Sequence, residues 1–245
     1  MDDPAIATDG LRKVYDGTVA VAGLDLAVER GTVFGLLGPN GAGKTTTMRM
    51  LTTLTRPTAG AAEIAGTAID DRSAVVDHIG YLPETPPLYE ELTAREQLAY
   101  VAGLRETDLD DRIEELLDRF DLADAADDRI ETYSKGIQQK TSLIQALMHD
   151  PDVLFLDEPT SGLDPRAART VRTVIDEIAD AETTVVLSTH ILGVVEELAD
   201  RVGVLYDGEM VADGPPDELV DRVEGPSDGT LEDVFLEVTG GPGER

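Results

Sequence analysis

The sequence contains no cysteine, which excludes disulfide bonds, thiol catalysis and metal sites built from cysteine. It also lacks any apolar run close to the roughly 18 residues that a membrane-spanning helix needs. The segment Met1–Pro4 is acidic and lacks the basic and apolar regions of a signal peptide. We therefore expect a soluble, intracellular protein.

Basic residues are scarce. The chain has 20 lysines and arginines against 50 aspartates and glutamates, for a formal net charge of −30. The acids are spread along the whole chain, and their mutual repulsion destabilises a folded state unless salt screens it. Because the Debye length falls to roughly 3 Å at molar salt, we predict a protein from a salt-adapted organism. No basic stripe is present to replace counterions, which argues against direct binding of nucleic acid.

The 245 residues of the chain suffice for one large domain. The spacing of apolar residues divides the chain into regions that are predicted to form strands, helices or an alternation of both. Residues 4–30 alternate apolar and polar side chains, with a break at Gly23, which predicts short antiparallel strands. Residues 88–150 have helical spacing, with a capping box at Thr93–Glu96. Beyond that region, apolar strands alternate with helices, which predicts a mostly parallel sheet. The chain closes with a short helix near Pro216–Val220 and a tail that contains glycine and proline.

Residues 38–46 match the phosphate-binding pattern G-x-x-x-x-G-K-[ST]. An apolar run at Val33–Leu37 precedes them, and the segment that follows can open a helix, whose N-terminus favours an anion. Glycines let such a loop turn with positive φ and bring its N–H groups to phosphate oxygens, while Lys44 reaches the β- and γ-phosphates and Thr45 binds Mg²⁺. A glycine-rich turn with a chance Lys-Thr pair is the alternative. The candidate nucleotide-binding residues here are Gly38, Pro39, Asn40, Gly41, Ala42, Gly43, Lys44, Thr45 and Thr46.

A second candidate feature is the apolar strand Val153–Leu156, which ends in the adjacent carboxylates Asp157 and Glu158. In phosphate-loop NTPases an aspartate at the end of such a strand helps to hold Mg²⁺, which is the role predicted for Asp157. Glu158 is then placed to orient or deprotonate an attacking water. In a chain with 50 acids, a solvated acid pair is the alternative.

Three shorter patterns accompany these features. Ser134 and Gly136 stand at a predicted helix start, where a hydroxyl and free N–H groups suit an anion, although alone they indicate only a helix cap. A Ser-Gly-Leu-Asp turn covers Ser161–Asp164. His190 follows the strand Thr183–Ser188, where the ligand crevice of a parallel sheet is expected, and a satisfied surface imidazole is the alternative.

The order and spacing of these motifs resemble the ATP-binding subunit of an ABC transporter, over residues 5–240. The resemblance implies an α/β fold, with a P-loop NTPase core built on a mostly parallel sheet, an antiparallel β subdomain and an inserted α-helical subdomain. It further implies an ATP-binding domain over residues 1–222, with the helical subdomain at 88–150, and a short C-terminal extension over residues 223–245.

By the same resemblance, residues 38–46 form the Walker A loop and Asp157 closes the Walker B strand. Glu158 is then the catalytic base. Lys44 and His190, the switch histidine that senses the γ-phosphate, complete the implied catalytic set.

The resemblance also implies ATP contacts from other segments. Ser134 and Gly136 carry the phosphate contacts of the signature motif, and Asp164 belongs to the D-loop. Tyr15 falls where the family places an aromatic ring that stacks on adenine, and a core residue at the end of a strand is the alternative.

Three positions depart from the family pattern. In the signature motif, usually Leu-Ser-Gly-Gly-Gln, Lys135 replaces the first glycine and Ile137 replaces the glutamine. Glu84 stands where the Q-loop glutamine is expected. Its carboxylate can accept a hydrogen bond from metal-bound water, which makes it a metal-site candidate beside Thr45 and Asp157.

At these positions the sequence resembles the branch of the family that exports drugs, antibiotics or sodium. The same resemblance holds for the segments Ile79–Glu84, Pro87–Thr93 and Leu231–Gly240. The resemblance implies a homodimer that binds ATP and Mg²⁺ and couples ATP hydrolysis to export through a separate membrane permease. Such a subunit is cytoplasmic and lies peripherally on the inner face of the cell membrane. The alternatives are a soluble ABC-type ATPase in assembly or repair and a nucleotide sensor without turnover, and Glu158 and His190 argue against the sensor.

Overall fold

Two β-sheets organise the chain in the computed structural model, which describes residues 3–179, 183–221 and 229–240. The smaller sheet is antiparallel, and its strands are β1 (Ile6–Tyr15), β2 (Thr18–Val28), β4 (Ala59–Ile64) and β5 (Thr67–Ala68), in the spatial order β2-β1-β4-β5. The prediction of antiparallel strands in residues 4–30 is confirmed. The predicted break in the alternation at Gly23 is also present, because Val21 and Leu24 are both buried and the register with β1 shifts between them, although β2 itself continues through Gly23.

The phosphate loop, the carboxylates Asp157 and Glu158, and His190 all lie at strand ends of the larger sheet. This sheet consists of β3 (Val33–Leu37), β6 (Ile79–Leu82), β7 (Val153–Asp157), β8 (Thr184–Thr189), β9 (Arg201–Tyr206) and β10 (Glu209–Gly214), in the order β10-β9-β3-β8-β7-β6. All neighbours pair in parallel except β9 and β10, which form a hairpin. Every residue of β3, β7 and β8 is buried, since both faces of this sheet are covered, and this explains their continuous apolar runs.

Different elements cover the two faces of the larger sheet. On one face, α1 (Lys44–Leu51) and the smaller sheet pack through a shared core that includes Phe34, Met48 and Phe155. A short helix, α2 (Arg72–Val75), lies against the same core. On the other face, α6 (Pro165–Ala179) and α7 (Leu192–Leu198) pack against β8. The sheet edge that carries the motifs is thereby held between two apolar layers.

Three helices form the region between β6 and β7. They are α3 (Ala94–Leu104), α4 (Asp110–Arg119) and α5 (Lys135–Leu147). The predicted capping box is present, because Thr93 accepts from the Glu96 amide and the Glu96 carboxylate accepts from the Thr93 amide. Ile113 and Leu116 of α4 share one apolar core with Leu154 of β7, so these helices are packed onto the sheet that carries the motifs.

The C-terminal part contains α8 (Pro216–Asp221) and α9 (Leu231–Thr239). Helix α9, which no sequence pattern above predicts, begins at a second capping box, between Thr230 and Asp233. Its apolar face packs into a cluster with α7 and β9. The predicted boundary between residues 222 and 223 lies outside the described residues. None of the helices in the described ranges is long and apolar enough to span a membrane.

Candidate active site

A cavity of about 340 Å³ lies at the carboxyl ends of the adjacent strands β3, β8 and β7. Parallel strands bring their carboxyl ends to one edge, which is where ligands of such sheets bind. The residues that line the cavity are Ala20, Asn40, Gly41, Gly43, Lys44, Thr45, Thr46, Glu84, Glu158, Ser161 and His190. Sequence reasoning selected all of these as site residues except two: Ser161, which it noted only as part of a turn, and Ala20, which carries no sequence signal.

The loop between β3 and α1 depends on glycine at three positions. Gly41 and Gly43 have φ of +84° and +108°, in the region that side chains disfavour. A Cβ atom at Gly38 would lie 2.3 Å from the carbonyl oxygen of Leu205, and one at Gly43 would lie 2.5 Å from that of Ala20. No side chain caps the N-terminus of α1, so its N–H groups and the positive end of its dipole are available to an anion.

Lys44 is the cation of the cavity, and it is only 6% exposed. Its Nζ atom donates to the carbonyl oxygen of Gly38 at 2.7 Å and lies 3.7 Å from Oε1 of Glu158. A buried ammonium held between a loop carbonyl and a carboxylate is suited to neutralise charge on a phosphate that enters the loop.

Asp157 is the buried carboxylate at the end of β7. Its Oδ1 atom accepts from Ser188 at 2.6 Å and from the Thr45 hydroxyl at 3.4 Å. Hydroxyl and carboxylate oxygens are the ligands that Mg²⁺ prefers, so the donor set of Thr45 and Asp157 fits this ion. Among the described residues no group of three acid or histidine side chains gathers as a metal site. Mg²⁺ usually keeps waters and binds substrate phosphates, so two protein ligands are consistent with it.

Two carboxylates lie close enough to Tyr81, at this edge of the sheet, to affect its pKa. Burial raises the pKa of Tyr81 on β6 to about 12, and the charge of Asp157, and more weakly that of Glu84, acts in the same direction. Arg49 opposes the shift. Burial is the main cause of the shift, and the two carboxylates add to it.

Glu158 has a strained backbone at the edge of the cavity. Its φ is +50°, a conformation that costs a residue with a side chain about 1–2 kcal/mol, and such strain is often stored at functional sites. Glu158 is 8% exposed, and each of its carboxylate oxygens has a hydrogen-bonding partner. Oε1 lies 2.9 Å from Nδ1 of His190, and Oε2 accepts from the Thr189 hydroxyl at 3.1 Å. These contacts fix one carboxylate between the cation of Lys44 and an imidazole.

Eight predicted site residues do not line the cavity. Four of them, Gly38, Pro39, Ala42 and Asp157, belong to the phosphate loop or precede the lining residue Glu158 in the chain, and the other four lie in separate segments. Ser134 and Gly136 lie at the N-terminus of α5, where the Ser134 hydroxyl accepts from the Ile137 amide. Asp164 caps α6 by accepting from the amides of the second and third residues of that helix. Tyr15 ends β1 and is 42% exposed, so it is not a core residue, and Nζ of Lys13 lies 4.9 Å from the centre of its ring.

Known proteins resemble this chain in both sequence and structure. A family model described as ABC transporter matches residues 21–161, more than half of the chain. The daunorubicin resistance ATP-binding protein DrrA3 of Streptomyces coeruleorubidus is 44% identical over 223 residues, which cover 89% of this chain and 71% of that protein.

Two solved structures share the fold of nearly the whole chain. One, described as the ATP binding subunit of an ABC transporter, has a TM-score of 0.85 and 30% identity, covering 96% of this chain and 99% of that chain. The other is cbiO1 from Clostridium perfringens, described as part of the ABC transporter complex cbiONQ. It has a TM-score of 0.81 and 25% identity, covering 90% of this chain and 92% of that chain.

Proposed function

The chain belongs to the ABC transporter ATP-binding family, whose members are ATPases, and from this premise we propose that it is the ATP-hydrolysing subunit of a membrane exporter. The observation that carries the proposal is the Glu158 carboxylate, held between Lys44 and His190 at the rim of a phosphate-loop cavity. The drug-resistance name of a relative that is 44% identical supports export of a small molecule.

In the proposed reaction the chain positions ATP for in-line attack by water. The N–H groups of residues 40–46 and the ammonium of Lys44 hold the β- and γ-phosphates. Bound Mg²⁺ would neutralise charge on the phosphate oxygens, with Thr45 and Asp157 as its ligands and Glu84 accepting from a bound water. Glu158 orients the attacking water and accepts its proton.

His190 and Tyr15 have supporting roles in this proposal. The imidazole of His190 orients the Glu158 carboxylate and faces the γ-phosphate. Tyr15 pairs with Thr18 across the β1–β2 hairpin. Thr18 is two residues before Ala20, which lines the cavity. Since a strand rises about 3.3 Å per residue, this spacing supports stacking of the exposed ring on the adenine of a bound nucleotide.

The positions of Ser134, Gly136 and Asp164 support a site that two copies complete. These residues lie outside the cavity of their own chain, at the N-termini of α5 and α6. In the proposed homodimer each ATP contacts the Walker A loop of one copy and the signature segment of the other. Binding of ATP closes the dimer, and hydrolysis opens it.

Transport requires a membrane-spanning partner, which we propose to be a separate permease. The subunit would then lie in the cytoplasm, at the inner face of the cell membrane. The membership of cbiO1 in a multi-subunit transporter complex supports this arrangement. Co-purification of the chain from membranes with a hydrophobic protein is the expected result, and recovery of the chain alone from the cytosol would favour the soluble alternative.

Replacement of Glu158 tests the catalytic assignment. Glu158→Gln removes the base but keeps the size of the side chain, so phosphate release should fall at least about 100-fold, the usual lower range for loss of a catalytic base, while ATP remains bound. Size-exclusion chromatography with ATP should then show a stable dimer. Glu63→Gln changes the same charge on an exposed strand position and should keep the wild-type rate. Unchanged phosphate release by Glu158→Gln would refute the role of this residue as base.

A further inference from the structure

The backbone that carries Glu158 is held from both sides. Its amide donates to the carbonyl oxygen of Ser188 at 2.9 Å, and its own carbonyl accepts from Ser161 at 3.0 Å. These two contacts belong to β8 and to the turn that follows Glu158. A third contact comes from a distant helix, because the carbonyl oxygen of Pro159 accepts from Nε2 of Gln139 on α5 at 2.9 Å.

Gln139 is a buried polar residue with one described side-chain partner. It is 7% exposed and lies on the face of α5 that packs into the main core, near Leu143. Packing on this face restricts the side chain, so the position of its amide follows the position of the helix. Pro159 has no N–H group, and its carbonyl is therefore the only backbone hydrogen-bonding group at that position.

The same helix begins at Ser134, at the segment that resembles the signature motif. Gln139 therefore connects this helix to the residue directly after the strained Glu158. Without this donor, the left-handed conformation at Glu158 would lose a restraint, and its carboxylate would spend less time between Lys44 and His190.

We propose that Gln139 is a positioning residue for Glu158, which acts by fixing the carbonyl of Pro159 and so couples the position of α5 to the catalytic carboxylate. This inference rests on the proposed role of Glu158 as base. Gln139 itself does not line the cavity, so its effect is on turnover and not on ATP binding.

Gln139→Met tests the proposal, because methionine matches the length of glutamine and lacks the donor. In steady-state phosphate release at molar KCl, kcat should fall about tenfold, equivalent to about 1.4 kcal/mol, with KM for ATP within about twofold of wild type. Gln145→Met is the matched control. It lies on the same helix and loses one side-chain hydrogen bond, with Gln97. Among the described residues no hydrogen bond joins its side chain to the Glu158 loop, so it should keep the wild-type kcat.

A double mutant separates positioning from general damage. If Gln139 acts through Glu158, Gln139→Met should not slow the residual single-turnover rate of Glu158→Gln any further. An equal loss in both backgrounds would overturn the proposal, as would a wild-type kcat for Gln139→Met. If Gln139→Met does not fold, Gln139→Leu replaces it, since leucine also lacks a donor and suits a buried helix face.

The two proposals can fail separately. If Glu158→Gln keeps the wild-type rate, the assignment of Glu158 as base is refuted and the role of Gln139 falls with it. If Glu158→Gln is inactive while Gln139→Met is fully active, the base assignment stands and only the role of Gln139 is overturned.

Discussion

Gly43→Ala is the substitution whose effect can be worked out most directly from the structure. Gly43 precedes α1 with φ of +108°, and an added Cβ would lie 2.5 Å from the carbonyl oxygen of Ala20 and 3.2 Å from Cδ2 of Leu205. Gly41 is the matched control, because its φ is +84° but an added Cβ has no atom within 4 Å. The pair therefore separates backbone strain from steric contact.

The expected losses of stability follow from these two terms. Strain at positive φ costs alanine about 1–2 kcal/mol, and the reduced entropy of the unfolded chain returns about 0.4–1 kcal/mol, so Gly41→Ala should cost about 1 kcal/mol. Gly43→Ala carries the same terms and must also displace the backbone of β2. Overpacking of this kind costs about 1–3 kcal/mol, which gives a total of about 3 kcal/mol.

Urea unfolding followed by circular dichroism at constant molar KCl measures this difference. Binding of a fluorescent ATP analogue to the same variants should weaken more for Gly43→Ala, because a shift of this loop moves the N–H groups that face the phosphates. Equal urea midpoints for the two variants, or wild-type ATP affinity in Gly43→Ala, would refute the steric reasoning.

Three further predictions concern salt, pH and the adenine base. Lowering KCl from about 1 M to about 0.1 M should lower the melting temperature, since a chain of net charge −30 needs screening; a temperature independent of salt in calorimetry would contradict this. Burial, and then the charge of Arg105, hold the pKa of His149 below its usual 6.5. As the pH falls, the imidazole of His149 therefore binds a proton in the unfolded chain before it does so in the folded chain. The free energy of unfolding that this residue contributes above about pH 6.5 is then lost as the pH falls through its lowered pKa in the folded state. In urea titrations His149→Gln should lose less stability than wild type between about pH 7 and pH 5, and equal losses would argue against the assignment. Tyr15→Ala should weaken ATP binding about tenfold but leave tripolyphosphate binding unchanged in calorimetry, while Tyr15→Phe keeps both; parallel losses for both ligands would exclude stacking.

Local patterns predicted the parts of this protein that depend on neighbours in the sequence. The loop at residues 38–46 and the strand Val153–Asp157 were recognisable because turn chemistry and burial on both faces of a sheet leave short, contiguous signatures. The capping box before α3 was found for the same reason. The matching signal before α9, Thr230 followed by Asp233, was equally local, but the surrounding glycines and prolines suggested only a tail.

Tertiary structure decided what these segments do to one another. Sheet order places β3, β8 and β7 side by side, and only this arrangement brings the Glu158 carboxylate between Lys44 and His190. The steric need for glycine at position 38 comes from the carbonyl of Leu205, and Ala20 reaches the cavity from another sheet.

The hydrogen bond from Gln139 to Pro159 likewise joins a helix to a loop across the core. The sequence by itself determined the phosphate loop, the acidic strand end and the family. Only the tertiary structure decided the orientation of the base and its supports, because contacts between residues far apart in the chain depend on how the strands are ordered and the helices packed.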